Sequence, residues 1–105
     1  MSQKRITHEI KTLKIVSRSD DEIIFDVGFK IIMTDLADYP FRCPLVSIEH
    51  PGDSVIFAPN CRFINAISRV GAEKPGQRYV SMETDNWSPA VKMIDIIDEI
   101  LTVIV

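Results

Sequence analysis

The end of the chain constrains what the rest can be. Asn86-Trp87-Ser88-Pro89-Ala90 runs straight into a stretch where Ala90, Met93, Ile94, Ile97, Ile100, Leu101 and Ile104 recur at helical spacing. Lys92, Asp95, Glu99 and Thr102 fall on the opposite side. Ser88 is a good N-cap, because its hydroxyl can accept from a free backbone N–H, and Pro89 suits the first helical position, where no N–H is needed. The spacing therefore predicts a helix over 88–105 with one apolar face. In a chain of 105 residues the other elements must supply the surface that buries this face, and Trp87 is a large anchor for the contact.

Composition bounds the remainder. With 46% hydrophobic and 26% charged residues, the chain reads as one globular domain spanning 1–105, with apolar material for a single core. A formal charge of −3 and scattered lysines and arginines provide no basic field for nucleic acid. No apolar run reaches bilayer-spanning length, and residues 1–14 are too polar for a signal peptide. The expectation is an intracellular protein, cytoplasmic or nuclear, with no membrane partner.

Ile6, Ile10 and Leu13 lie at i, i+4 and i+7 among polar neighbours, which predicts a short amphipathic N-terminal helix. Residues 14–18 read as a brief strand, stopped by the turn formers Ser19-Asp20-Asp21. From Ile23 to Thr34 apolar residues alternate with a mixed set, the period of one long strand with a buried face, in which Gly28 marks a bulge or bend. Residues 35–44, with two prolines, form an ordered loop; 45–48 and 54–57 are strands separated by the turn signal His50-Pro51-Gly52-Asp53. Asn60 can cap a helix carrying Phe63, Ile64, Ile67 and Val70, with Gly71 ending it, and 78–82 is a short extended piece. The layout is α+β: an antiparallel sheet of about four strands, with helices on one face or at its ends.

Recognisable chemistry is sparse. Cys43 and Cys61 are too few for a disulfide framework or a zinc site, and His8 and His50 have no metal-ligand spacing. There is no Gly-rich phosphate loop and no nucleophile with a recognisable base. No cofactor is expected.

Two motifs carry a resemblance. Tyr39-Pro40-Phe41-Arg42-Cys43-Pro44-Leu45-Val46 resembles the Tyr-Pro-Phe-x-x-Pro-x-Val segment of ubiquitin-conjugating enzymes, and Asn86-Trp87-Ser88-Pro89-Ala90 resembles the segment preceding their central helix. Lys4-Arg5-Ile6, with Glu9-Ile10 and Leu13, is similar to the start of the family's first helix. The resemblance implies a minimal conjugating-enzyme-like fold with an N-terminal helix and a C-terminal central helix. It also implies a docking surface for ubiquitin ligases made by Phe41, Ser88, Pro89 and Ala90, with Lys4, Arg5 and His8 beside them. Those motif residues can equally persist for folding alone, since Tyr39, Pro40 and Pro44 shape a loop, Trp87 anchors a core and Ser88-Pro89 caps a helix.

The departures bear on catalysis. Counting back from Trp87 through Gly76 places Tyr79 where the family has its active-site cysteine, and Ala58-Pro59-Asn60 resembles the His-Pro-Asn motif with its oxyanion Asn kept. The family's two helices beyond the central one are expected to have no counterpart. Ubiquitin transfer needs a thiolate, because a thioester both forms by exchange and acylates lysine, and a phenol is almost wholly protonated near neutrality. The reading is a catalytically inactive variant. Its expected partners are a conjugating enzyme, a ligase or a ubiquitin-like modifier, bound as a hetero-oligomer. The alternatives are an active divergent enzyme using the displaced Cys61, and a structural subunit of a complex unrelated to ubiquitin.

Overall fold

The computed structural model describes residues 2–50, 61–68 and 76–103. In chain order the elements are α1 (Ser2–Glu9), β1 (Ile15–Arg18), β2 (Glu22–Asp26), β3 (Lys30–Thr34), β4 (Leu45–Glu49), β5 (Ile64–Ser68), β6 (Gln77–Met82), a single 3-10 turn at Thr84–Asn86, and α2 (Met93–Val103). The class is α+β, as expected, but the antiparallel sheet has six strands and not about four, in the order β1-β2-β3-β4-β6-β5. No helix among the described residues is long and apolar enough to cross a membrane.

Both additional strands come from misleading periodicity. The expected single strand over 23–34 is the hairpin β2–β3, closed over Val27-Gly28-Phe29, with Gly28 at φ 97° and its N–H donated to the Asp26 carboxylate at 3.1 Å. Ile23 pairs with Met33 and Phe25 with Ile31. An odd number of residues in the turn keeps the inward parity on both arms, so the alternation runs through the reversal without a break. The expected helix over 60–71 is replaced by β5, whose Ile64, Ala66, Ile67 and Ser68 pair with β6. Ile64 and Ile67 are β-branched and match a strand as well as a helix turn, and a waiting edge on β6 decides between them. The expected turn and strand over 51–57, together with Asn60, Val70, Gly71 and Ile104, lie outside the described residues.

One face of the sheet carries the core. Two cross-strand rows, Ile23-Met33-Val46-Val80-Ile67 and Ile15-Phe25-Ile31-Ile48-Arg78, point inward. Their apolar members pack in one cluster with Ile6 and Ile10 and with Met93, Ile96, Ile97 and Ile100 of α2, so both helices cover the same face. Each fully buried Ile or Met contributes about 1.5–3 kcal/mol of transfer free energy. The helical face differs in detail from the expected one: Ile96 is buried, whereas Leu101 is 44% exposed. Glu99, expected on the wet side, accepts from the backbone N–H groups of Phe63 (3.0 Å) and Ile64 (3.2 Å), tying the start of β5 to α2.

Helix α2 starts at Met93, later than Ser88-Pro89 suggested. Ser88 to Val91 closes a turn of its own through Val91 N–H to Ser88 O at 3.0 Å. A Ser at the first position and a Pro at the second suit a β-turn as well as a helix start. The cap comes from elsewhere. Asp95 accepts from the Lys92 N–H at 2.9 Å, and Glu9 of α1 accepts from the Met93 N–H at 2.8 Å.

Candidate partner-docking surface

Three segments far apart in sequence meet around Glu9, whose side chain is only 3% exposed. Its carboxylate takes the Arg5 Nε–H at 2.6 Å, one turn back on α1, the Met93 N–H, and the hydroxyl of Tyr39 from the loop between β3 and β4. Arg5 in turn donates from Nη2 to the Val91 carbonyl at 3.2 Å and sits over the Tyr39 ring, 5.6 Å from its centroid. Burial first, and then the bond to Glu9, push the Tyr39 phenol well above the usual tyrosine range. The Glu9 hydrogen bond holds the Arg5 guanidinium more firmly protonated. A buried carboxylate with this many donors is satisfied, so the junction is rigid.

The loop is fixed from its other side as well. Trp87 Nε1–H donates to the Pro40 carbonyl at 2.9 Å, and the Trp87 and Tyr39 rings lie 6.1 Å apart. The Tyr39-Pro40 peptide is cis, and Phe41 and Arg42 N–H groups both donate to Asp38 O, at 2.8 and 3.1 Å. With Tyr39 inward and Pro40 held, Phe41 faces solvent at 79% exposure. Ser88, Pro89 and Ala90 are exposed beside Trp87, on the turn whose Val91 end Arg5 holds. Phe41 and this Pro-Ala turn thus present apolar side chains from two segments joined by one Trp-to-carbonyl bond, the composition of a contact surface.

The basic residues expected here divide. Arg5 belongs to the junction, whereas Lys4 and His8 are exposed and, with Thr7 and Lys11, line an open recess of about 470 Å³ on the outer face of α1.

Tyr79 lies on β6, on the face away from both helices, in a row Ser17-Ile24-Ile32-Ser47-Tyr79-Ser68 that crosses all six strands. It is 42% exposed and, with Thr34, Leu45 and Ser47, lines a recess of about 240 Å³. Pairing of Tyr79 with Ser68 and of Met82 with Ile64 places Cys61, which precedes Ile64, beyond the opposite end of this hairpin. Cys61 is half-buried against the core. Cys43 is half-buried in the loop before β4, where burial pushes its thiol up and away from thiolate character. Asn60 lies outside the described residues.

Sequence reasoning missed Glu9, Asp95 and Glu99. The Arg5–Glu9 spacing of four was a legible helix pair, but nothing local shows that Glu9 also receives Tyr39 and Met93. No protein-family model, characterised protein or solved structure matches the chain.

Proposed function

We propose that this chain is a non-catalytic variant of the ubiquitin-conjugating-enzyme type that serves as a protein-docking module in modification by ubiquitin or a ubiquitin-like protein. Its partner is a conjugating enzyme, a ligase or the modifier itself, held as a hetero-oligomer in cytoplasm or nucleus. One observation carries the reading: the Trp87-to-Pro40 bond, backed by the Glu9 junction, brings the two motif segments together and leaves Phe41, Ser88, Pro89 and Ala90 facing solvent. A motif kept for folding alone would bury its aromatic. Here Tyr39 and Trp87 do the packing, and Phe41 is left 79% exposed.

The chemistry supports a module that does not form thioesters. The residue at the nucleophile's count is a phenol, and Cys61 is set apart from it by the length of the β5–β6 hairpin.

Titration of a panel of purified ubiquitin ligases and conjugating enzymes against the protein tests the proposal. A partner that binds the wild type should lose affinity by about 1–3 kcal/mol against Phe41→Ala/Pro89→Ala, with thermal stability of the variant nearly intact. Unchanged affinity in the folded double variant would assign these residues to structure.

A further inference from the structure

Ser88 is the residue whose expected task the fold gives to others. Its hydroxyl reads as the cap of the last helix, yet Asp95 and Glu9 cap that helix, and the Ser88 carbonyl alone is engaged, by the Val91 N–H. No hydrogen bond engages the Ser88 hydroxyl among the described residues, and the side chain is exposed, as are Pro89 and Ala90 after it. Of the six prolines, only Pro89 follows a serine or threonine. Residues 87–92 are outside regular structure, held by the Val91-to-Ser88 turn bond, by backbone bonds to Thr84 and Asp95 at either end, and by neighbouring side chains.

We propose that Ser88 is a phosphoacceptor for a proline-directed serine/threonine kinase, and that phosphorylation closes the docking surface. The regulatory half rests on the proposed docking function; the modification itself does not. In the transfer, Ser88 Oγ attacks the γ-phosphorus of ATP. The Oγ–P bond forms, the bond from the γ-phosphorus to the bridging oxygen of the β-phosphate breaks, ADP leaves, and the hydroxyl proton passes to the kinase's catalytic base. The product carries a charge of about −1.5 to −2 near neutral pH, placed between Trp87 and the Pro89-Ala90 apolar turn. An apolar partner surface that accepts Phe41 and Pro89 would have to desolvate that charge without a matching cation, so docking weakens.

The test begins with the purified full chain, a proline-directed kinase and Mg-ATP, read by intact mass and fragmentation. The expected result is one phosphoryl group, located on Ser88, absent from Ser88→Ala and Pro89→Ala and retained in Ser81→Ala. If the folded chain takes no phosphate, while a peptide of residues 84–95 used as a kinase control does, the fold conceals the site and the proposal fails. Phosphorylated and unmodified wild type are then titrated against a ligase or conjugating enzyme that binds the unmodified form. Affinity should fall by about tenfold or more, and equal affinity overturns the regulatory half. If no panel member binds either form, the docking function fails, whereas phosphate on Ser88 still upholds the modification.

Discussion

Glu9, at the end of the first helix, caps Met93, the first residue of the last one, across 84 positions of sequence. A single carboxylate thus fixes the start of α2 and, through Tyr39, the loop that carries Phe41. Replacing it by alanine removes the acceptor for three donors, one a partly exposed guanidinium. Glu9→Ala should lower stability by at least the about 1.5–3 kcal/mol of a hydrogen bond to a charged group. Glu9→Gln should lose less, since the amide oxygen still accepts from Met93. Urea unfolding with an unchanged m-value reads both. Equal midpoints for wild type and Glu9→Ala would show that the junction adds nothing to stability.

Tyr39 makes stability depend on pH at the alkaline end. Its phenol holds its proton more tightly in the folded chain than in the unfolded one, because burial and the neighbouring Glu9 both disfavour phenolate. This contribution is therefore complete below the ordinary tyrosine pKa of about 10, and is lost as pH rises above it, where only the unfolded chain ionises readily. Unfolding midpoints should fall above that pH in the wild type and fall less steeply in Tyr39→Phe. Parallel curves for the two proteins would remove Tyr39 as the cause.

Two glycines with positive φ should respond differently to alanine. At Gly76, φ is +79° and an added Cβ would lie 2.5 Å from the His50 carbonyl oxygen; at Gly28, φ is +97° and the space is open. Gly28→Ala should cost only left-handed backbone strain, about 1 kcal/mol. Gly76→Ala adds a backbone clash and should cost more, about 1–3 kcal/mol or above. Thermal unfolding that ranked the two the other way would contradict this geometry.

The chain should form no thioester. Incubated with activating enzyme, ATP and ubiquitin or a related modifier, it should show no thiol-sensitive adduct on a non-reducing gel. An ester on Tyr79 is not expected either, since a phenol needs a base to attack and none is recognisable beside it in the sequence. An adduct that persists in Cys43→Ser and disappears in Cys61→Ser would make this an enzyme with a relocated nucleophile.

Much of the candidate surface was legible in the residues. Tyr39, Pro40 and Trp87 were readable as loop formers and an anchor because proline geometry and aromatic size act locally, whatever the fold around them. Inward positions such as Phe25, Ile31 and Met33 followed from the pleat's period of two, and most of α2's buried face followed from the helical period. What tertiary structure alone decided were the features whose cause lies on another element. The reversal at Gly28 was silent because its odd turn preserves parity. β5 took the place of a helix because β6 offered it an edge. Ser88-Pro89 became a turn and not a helix start because Asp95 and Glu9 hold the Lys92 and Met93 N–H groups, where α2 begins. Local sequence therefore determined which residues turn, cap or pack, while the distant partners for their hydrogen bonds determined where, and so decided that Phe41 and Ser88 stand in solvent.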